Sequence, residues 1–411
     1  MARTWQTAAL LGTMIVLAGM RTSPALAQTG GATPYTVLHR FTGSPTDGSN
    51  PYWGGLIRDP EGNFYGTTVF GAGRPGVCGS YPDGCGVVFK LDMTGAYRVL
   101  YSFTGGTDGA FPYGGLIRDL AGNLYGTTAF GGSAMGNSGN GVVFKLDTAG
   151  TETVLYSFTG GADGAHSYYG LARDLAGNLY GTTAFGGGGT CPPYDGCGVV
   201  FKLGSAGTET VLYRFLGAVD GGIPWAGVLL DAAGNLYGST NLGGASGYGA
   251  VFKVDTSGAE TVLHSFAGGA DGADPETGLI QDSDGNLYGT AGKTIFTLNA
   301  AGAYKVLYSF AGGADGEAPY AALIRDAAGN LYGTTEGGGS GNCHAGCGAV
   351  FKLDAAGAET VLYRFAGGAA GSHPYAGLIR DSAGNLYGTT YNGGKEHNGL
   401  SAGLVFKLKP D

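Results

Sequence analysis

Three short apolar strings recur seven times in the same order between Tyr35 and Leu408, and no other property of the chain restricts its fold as tightly. Each cycle holds a V-L-x-x-F strand, a G-N-x-Y-G hairpin and a V-F-K-L strand or a close variant. The first string ends at Phe41, Phe103, Phe158, Phe215, Phe266, Phe310 and Phe365. The second places Tyr65, Tyr125, Tyr180, Tyr237, Tyr288, Tyr332 and Tyr387, and the third places Phe89, Phe144, Phe201, Phe252, Phe296, Phe351 and Phe406. Successive cycles are 44 to 62 residues apart, the period of propeller blades.

One cycle, residues 103–158, contains two hairpins. Gly115–Asp119 and Leu124–Thr128 flank a turn at Ala121-Gly122-Asn123, and Val142–Asp147 and Thr153–Phe158 flank a turn at Thr148-Ala149-Gly150. Four antiparallel strands rich in β-branched and aromatic residues make one blade. No segment sustains a 3.6-residue apolar period, so helices are not expected. The 85 glycines and the 13% charged content suit a chain of tight turns, and 43% hydrophobic residues argue against disorder.

The expected fold is therefore all-β, a seven-bladed propeller. The chain opens with an outer-type strand, Tyr35–Phe41, and ends with a third-type strand, Leu404–Leu408. The first should complete the last blade, a clasp that leaves no unpaired edge at the seam of the ring. From hairpin tyrosine to the following V-F-K phenylalanine the spacing runs 24, 19, 21, 15, 8, 19 and 19, while the other landmark spacings are nearly constant. Length variation thus gathers in the loop between second and third strands. Antiparallel alternation puts that loop on the same face as the links between blades, here called the top face.

The start of the chain reads as a secretory signal: Arg3, an apolar run from Ala8 to Met20, and Ala25-Leu26-Ala27 before Gln28. The expected plan is a signal peptide over 1–27, a linker over 28–34 and a single propeller over 35–411, giving a secreted or periplasmic protein. The apolar run is too short to span a bilayer, no cysteine follows it to carry a lipid, and the tail offers no anchor. A net charge of −9 without basic clusters argues against nucleic acid or an anionic membrane as partner. A monomer is expected.

The strings G-N-L-Y-G-T-T, G-x-V-F-K-L-D and V-L-Y-S-F-x-G-G-A-D-G resemble the GloVer tandem repeat of exported bacterial proteins, over residues 35–408. The resemblance implies a fold and an exported location, and no reaction. Several members of that family carry a C-terminal sorting anchor, from which this chain departs. The G-L-x-x-D-x-x-G-N-L-Y arrangement is also similar, more weakly, to NHL-like and streptogramin-lyase-like propellers.

Six cysteines form three local pairs, Cys78 and Cys85, Cys191 and Cys197, Cys343 and Cys347, each inside one variable top loop. Disulfides pinning glycine-rich loops are expected in an exported protein. Cys343-His344-Ala345-Gly346-Cys347 has too few ligands for zinc and lacks the histidine placement of a haem motif, so no metal or cofactor is expected.

Three residues before the first-strand leucine or valine stand Trp53, Tyr113, Tyr168, Trp225, Glu276, Tyr320 and Tyr375, with Tyr52 beside the first. Such a ring can line a channel mouth and stack on sugars or flat ligands, or each member can wedge against the next blade. Both readings stay open. Asp108, Asp163, Asp220, Asp271 and Asp315, with Asp47 one residue out of step and Ala370 in the seventh repeat, read as turn residues more readily than as a cation collar. Asp282 reads as a hairpin turn. His39 and His264 read as packing residues of the outer strand, and His166 falls on a link. His344, His373 and His397, with Glu336, Lys395 and Glu396 near in sequence, could form an acid/base site.

The favoured expectation is a non-catalytic propeller binding a glycan, peptide or small molecule through its top face. A lyase or hydrolase working from the three histidines is the alternative, and a structural or matrix role is a second. Blade five, with its short Ala291-Gly292-Lys293 loop and Glu276, should leave a low wall and a polar gap.

Overall fold

The computed structural model describes residues 35–43, 46–71, 78, 84–132, 139–339, 343–394, 396–397 and 400–410. The expected signal peptide and linker lie outside them. Seven four-stranded antiparallel sheets are present, as the repeat requires. In the second blade the strands, innermost to outermost, are Ile117–Arg118, Leu124–Thr128, Val142–Leu146 and Glu152–Ser157. The seventh blade takes Ile379–Arg380, Leu386–Thr390 and Leu404–Leu408 from the end of the chain and Tyr35–Arg40 from the start. Tyr35 pairs with Leu408 and Arg40 with Leu404, so the clasp is formed. Three single-turn 3₁₀ segments are the helices of the described residues, and no helix among them is long and apolar enough to cross a membrane.

Each recurring residue has a physical task. The link phenylalanine of one blade packs edge-on against the third-strand phenylalanine of the next, at 5.1 Å for Phe103 and Phe144 and 5.0 Å for Phe310 and Phe351. Phe365 with Phe406, at 5.3 Å, and Phe41 with Phe89, also at 5.3 Å, continue the series through the clasp. These rings are almost fully buried. Each contributes about 1.5–3 kcal/mol by burial, and each edge-to-face pair about 0.5–1.5 kcal/mol more.

The hairpin glycine lies under the third-strand ring. A Cβ on Gly126 would stand 2.7 Å from Phe144 Cζ, and the other six blades show the same approach. The leucine of V-L-x-x-F is a bulge: Val143 pairs with Tyr156 and Phe144 with Val154, which leaves Leu155 without a partner residue.

The bottom hairpins explain the D-x-x-G-N-x-Y string. The Asp119 carboxylate accepts from the backbone and side-chain N–H groups of Asn123 and from the Tyr125 hydroxyl. Burial opposes ionisation there, but these donors outweigh it and hold Asp119 below the usual carboxylate range. Asp282 makes the same bonds to Asn286 and Tyr288, so it is a hairpin turn like its relatives.

The aspartates of the links are also structural. Asp108 accepts from Thr104 N, Thr104 Oγ1, Gly106 N and the Tyr101 hydroxyl, tying the link to the outer strand. His39 and His264 take the tyrosine's place against Asp47 and Asp271, at 3.3 and 3.1 Å. Each stacks flat on the tyrosine that opens the next outer strand, Tyr97 at 3.9 Å and Tyr304 at 3.7 Å. Where the aspartate's partner is a tyrosine, four of the next outer strands open instead with Glu152, Glu209, Glu260 and Glu359. One carboxyl oxygen of each is buried without a hydrogen-bond partner. Burial, then Asp108, Asp220 and Asp315 respectively, push Glu152, Glu260 and Glu359 up to about 7. The clasp seam differs, since Ala370 replaces the aspartate and Tyr35 stacks on Tyr363 at 4.1 Å.

Candidate functional site: the top face

On the top face every link carries a residue other than glycine in the left-handed region: Asn50, Phe111, His166, Ile223, Asp274, Ala318 and His373. This bend turns the chain inward toward the axis. Counted from it, the residue two places on is Tyr52, Tyr113, Tyr168, Trp225, Glu276, Tyr320 or Tyr375. Tyr52 therefore holds the collar position of the first blade, and Trp53, which counting back from Leu56 places there, is an inserted residue. The signal was present in the sequence. Phe41 to Tyr65 spans 24 residues where the other blades span 22, and Asp47 is out of step.

The insertion drives Trp53 over the axis. Its ring lies 5.8 Å from Trp225 of the fourth blade, 6.0 Å from Tyr113 and 6.1 Å from Tyr168. The collar thus converges toward the axis on the side of blades one to four as well as packing on the blade seams, and Trp53 borders the axial channel. Beside Trp53 on the axis lies a cavity of about 290 Å³ walled by Gly55, Gly115, Gly170, Gly227, Gly278, Ala322 and Gly377, one from each blade.

The insertion also costs a bond. Thr67, Thr127, Thr182, Ser239 and Thr334 donate to backbone carbonyls of the following blade, whereas the matching hydroxyl of Thr389, which faces blade one, is buried without a partner.

The sector over blades five to seven is chemically different. Tyr52 stacks on Tyr375 at 4.5 Å, and Tyr391 meets both edge-on at 5.2 and 5.7 Å. The Tyr375 hydroxyl donates to Glu336 at 3.0 Å, and His373 Nε2 stands 3.8 Å from the same oxygen. Burial, then Asp274, push Glu276 up to about 7, and Asn241 Nδ2 approaches it at 3.5 Å. Burial also raises the Tyr320 hydroxyl, with Glu276, Glu336, Asp274 and Glu317 adding to the effect. The low wall at blade five is present as a tight turn at Gly292 and Lys293, and Lys293 is engaged by Glu317 at 2.5 Å.

The three cysteine pairs are disulfides, with Cα separations of 5.5, 5.3 and 5.1 Å. They do more than pin their own loops, because each joins a hydrophobic cluster reaching into the next blade. Cys191–Cys197 lies so close to the following link that a Cβ on Gly217 would stand 2.5 Å from Cys191 Sγ.

The histidines are dispersed. His166 donates through Nδ1–H to the Ala129 carbonyl, 2.8 Å away, and burial lowers its pKa. His344 is exposed on its disulfide loop, and His373 faces Ser372, Asn392 and Glu336. Strand Glu396–His397 is described in its backbone pairing only; the His397 side chain and Lys395 lie outside the described residues. Among the described residues, no cluster of three His, Cys, Asp or Glu side chains could hold a metal.

The fold and the collar define a closed seven-bladed propeller with one variable, aromatic-rich face. The chain belongs to the Gloeobacter/Verrucomicrobia repeat family, whose model matches residues 24–215, 134–293 and 292–411. No curated protein matches the chain in sequence.

Among solved structures, virginiamycin B lyase from Staphylococcus aureus is similar at 14% identity and a TM-score of 0.59, over 92% of this chain and 100% of that one. The extracellular domain of a protein described as the one component system BT4673 from B. thetaiotaomicron is similar at 14% identity and a TM-score of 0.56. That match covers 93% of this chain and 42% of that one. Both likenesses concern the fold.

Proposed function

We propose that the chain is exported, cleaved after Ala27, and acts outside the cytoplasm as a non-catalytic propeller that holds a glycan, peptide or small ligand on its top face. The observation that carries this reading is the gathering of loop variation, all three disulfides and the aromatic collar on one face, opposite a face of constant turns. Disulfides favour an oxidising compartment.

Because Trp53 and Trp225 occupy the side of blades one to four, the contact falls on the sector of blades five to seven with the adjoining Tyr52 of blade one. There Tyr52, Tyr320 and Tyr375 offer ring surface, and Glu276 and Glu336 accept hydrogen bonds. Screening the purified protein against glycan and peptide arrays, then repeating the best hit with Glu276→Gln and Tyr320→Ala, tests this. At least a tenfold loss of affinity with an unchanged melting temperature is expected. Unchanged affinity in both variants removes the site.

The pairing of His373 with Glu336 supports the alternative of a lyase or hydrolase. Turnover in a broad lyase and hydrolase screen that His373→Ala abolishes would replace the binding reading.

A further inference from the structure

Two residues before the first-strand leucine or valine, six blades carry a small side chain or none: Gly54, Gly114, Ala226, Thr277, Ala321 and Ala376. The third blade carries Tyr169 there. Its ring runs past blade four to blade five. A Cβ on Gly227 would stand 3.0 Å from Tyr169 Cδ1, and one on Gly278 would stand 3.4 Å from Cε1 and 3.7 Å from the hydroxyl oxygen. Tyr169 borders the axial cavity. Burial raises its hydroxyl while part of the residue stays accessible, so the fold encloses it and its open surface belongs to the cavity. The Gly278 backbone N–H faces the phenol oxygen, whereas the hydroxyl proton meets no protein acceptor among the described residues.

The rest of the wall restricts what such a donor can meet. It is made of glycine and aliphatic residues with Trp53 beside them, and it holds no charged side chain. The Trp53 indole nitrogen is itself buried, which leaves Tyr169 with the one hydroxyl of the cavity. A charged molecule would lose its hydration there without meeting a counter-charge, and a sugar would lose more hydroxyl hydration than one phenol replaces. Nor does the backbone demand glycine all round the wall. Gly55, Gly115 and Gly278 are outside the left-handed region, and a Cβ on them would find its nearest neighbour at 3.4, 3.6 and 3.4 Å, which is ordinary contact. The chain thus leaves the axis wide where side chains would fit, and puts a single hydroxyl into that width.

We propose that the axial cavity binds a small, uncharged, largely apolar carbonyl compound whose oxygen accepts the hydrogen bond of the Tyr169 hydroxyl. An apolar cavity of about 150 Å³ holds benzene, so the 290 Å³ here suits a molecule of two fused rings, roughly 10 to 13 heavy atoms. The apolar body of the ligand replaces water along Leu56, Leu116 and Val228, and the phenol fixes which end carries the oxygen. With Gly278 N–H facing its oxygen, the Tyr169 hydroxyl is turned to donate rather than to accept. This site is separate from the sector over blades five to seven and does not depend on the reading given for that sector.

Equilibrium dialysis with two probes of one shape tests the proposal: 2-acetylnaphthalene, and 2-isopropenylnaphthalene, in which a methylene group takes the place of the carbonyl oxygen. The wild type should bind the ketone saturably, one per chain, and about tenfold tighter than the hydrocarbon, the effect of one hydrogen bond in a dry site. Tyr169→Phe keeps the ring and should bind both probes alike, with an unchanged melting temperature. Gly115→Val narrows the cavity from the opposite side and should weaken both probes at least tenfold. Absence of saturable binding in the wild type overturns the proposal, as does equal affinity for the two probes. A preference for the ketone that survives Tyr169→Phe removes the phenol as the donor, and affinities unchanged by Gly115→Val place the probes outside the axis; either result also overturns it.

Discussion

Replacing Gly126 by alanine separates the packing role of the hairpin glycine from its conformational one. The Gly126 backbone is outside the left-handed region, so alanine meets no dihedral penalty. By lowering the entropy of the unfolded chain it would contribute about 0.5–1 kcal/mol of stability. Against this, its methyl would stand 2.7 and 3.0 Å from Phe144 ring atoms and 3.0 Å from Leu116 Cδ2. Phe144 is 1% exposed and fixed edge-on against Phe103 at 5.1 Å, so it has no space to retreat.

Overpacking of this kind costs about 1–3 kcal/mol. The net expectation is a loss of about 1–2 kcal/mol, a fall in melting temperature of roughly 1–3 °C for a domain of this size. Phe144→Leu alone should lose about 1–3 kcal/mol. Because leucine vacates the space over residue 126, the double variant should be less damaged than the sum, with a coupling of about 1–2 kcal/mol. Urea unfolding followed by tryptophan fluorescence measures all four corners of the cycle. A neutral or stabilising Gly126→Ala, or additivity within about 0.5 kcal/mol, would refute the ring-over-glycine account.

Stability should also depend on pH through the seams. The raised Glu152, Glu209, Glu260 and Glu359 bind protons more tightly in the folded state, so their contribution is complete below the unfolded carboxylate pKa and is lost as pH rises, through about 7 for Glu152, Glu260 and Glu359. The lowered hairpin aspartates such as Asp119 work in the opposite sense and lose their contribution in acid. Calorimetry should find a higher melting temperature near pH 5 than near pH 8, with the slope reduced by Glu152→Gln; a melting temperature that climbs across that range contradicts the carboxyl-pair reading.

Reductant should attack the disulfides unequally, because Cys78, Cys85 and Cys197 are fully buried and Cys343 is partly exposed. Alkylation and mass spectrometry of the native protein should label Cys343 and Cys347 first, and equal labelling of all six argues against it. Ala370→Asp should restore the missing link carboxylate, accept from Tyr363 and Ala366, and add about 1 kcal/mol in urea unfolding; a loss of stability would show that the Tyr35–Tyr363 stack excludes the charge.

How far the sequence reveals all this depends on whether a residue's task is local. The blades, their order and the clasp follow from Phe144, Tyr125 and their repeats, because period and turn chemistry act within a few residues. The hairpin role of Asp282 is legible for the same reason. The place of Trp53 was recoverable from one irregular spacing, but its contact with Trp225 joins blades one and four across the axis, a distance no repeat encodes. The exchange of Tyr101 and Glu152 for His39 and Tyr97 is plain in the aligned repeats. Its meaning requires knowing that position five of one outer strand lies against position one of the next. Whether the collar faced the axis or the next blade depended on the bend at Phe111 and its equivalents; Asn50, His166, Asp274 and His373 are of types that tolerate positive φ, but Phe111, Ile223 and Ala318 are not, so the repeat as a whole does not mark the bend.

The clasp makes the protein its own test of completeness. Tyr35–Arg40 is the outer strand of a blade whose other three strands arrive last, so a chain made N-terminus first carries an unsatisfied edge until its last strand is present. A chain cut short before Leu404 keeps that edge and leaves Phe365 without Phe406, and so stays visible to quality-control proteases that a finished ring escapes. Closure of the ring thus works as a check that the last blade has been made, using no residue beyond those that build it.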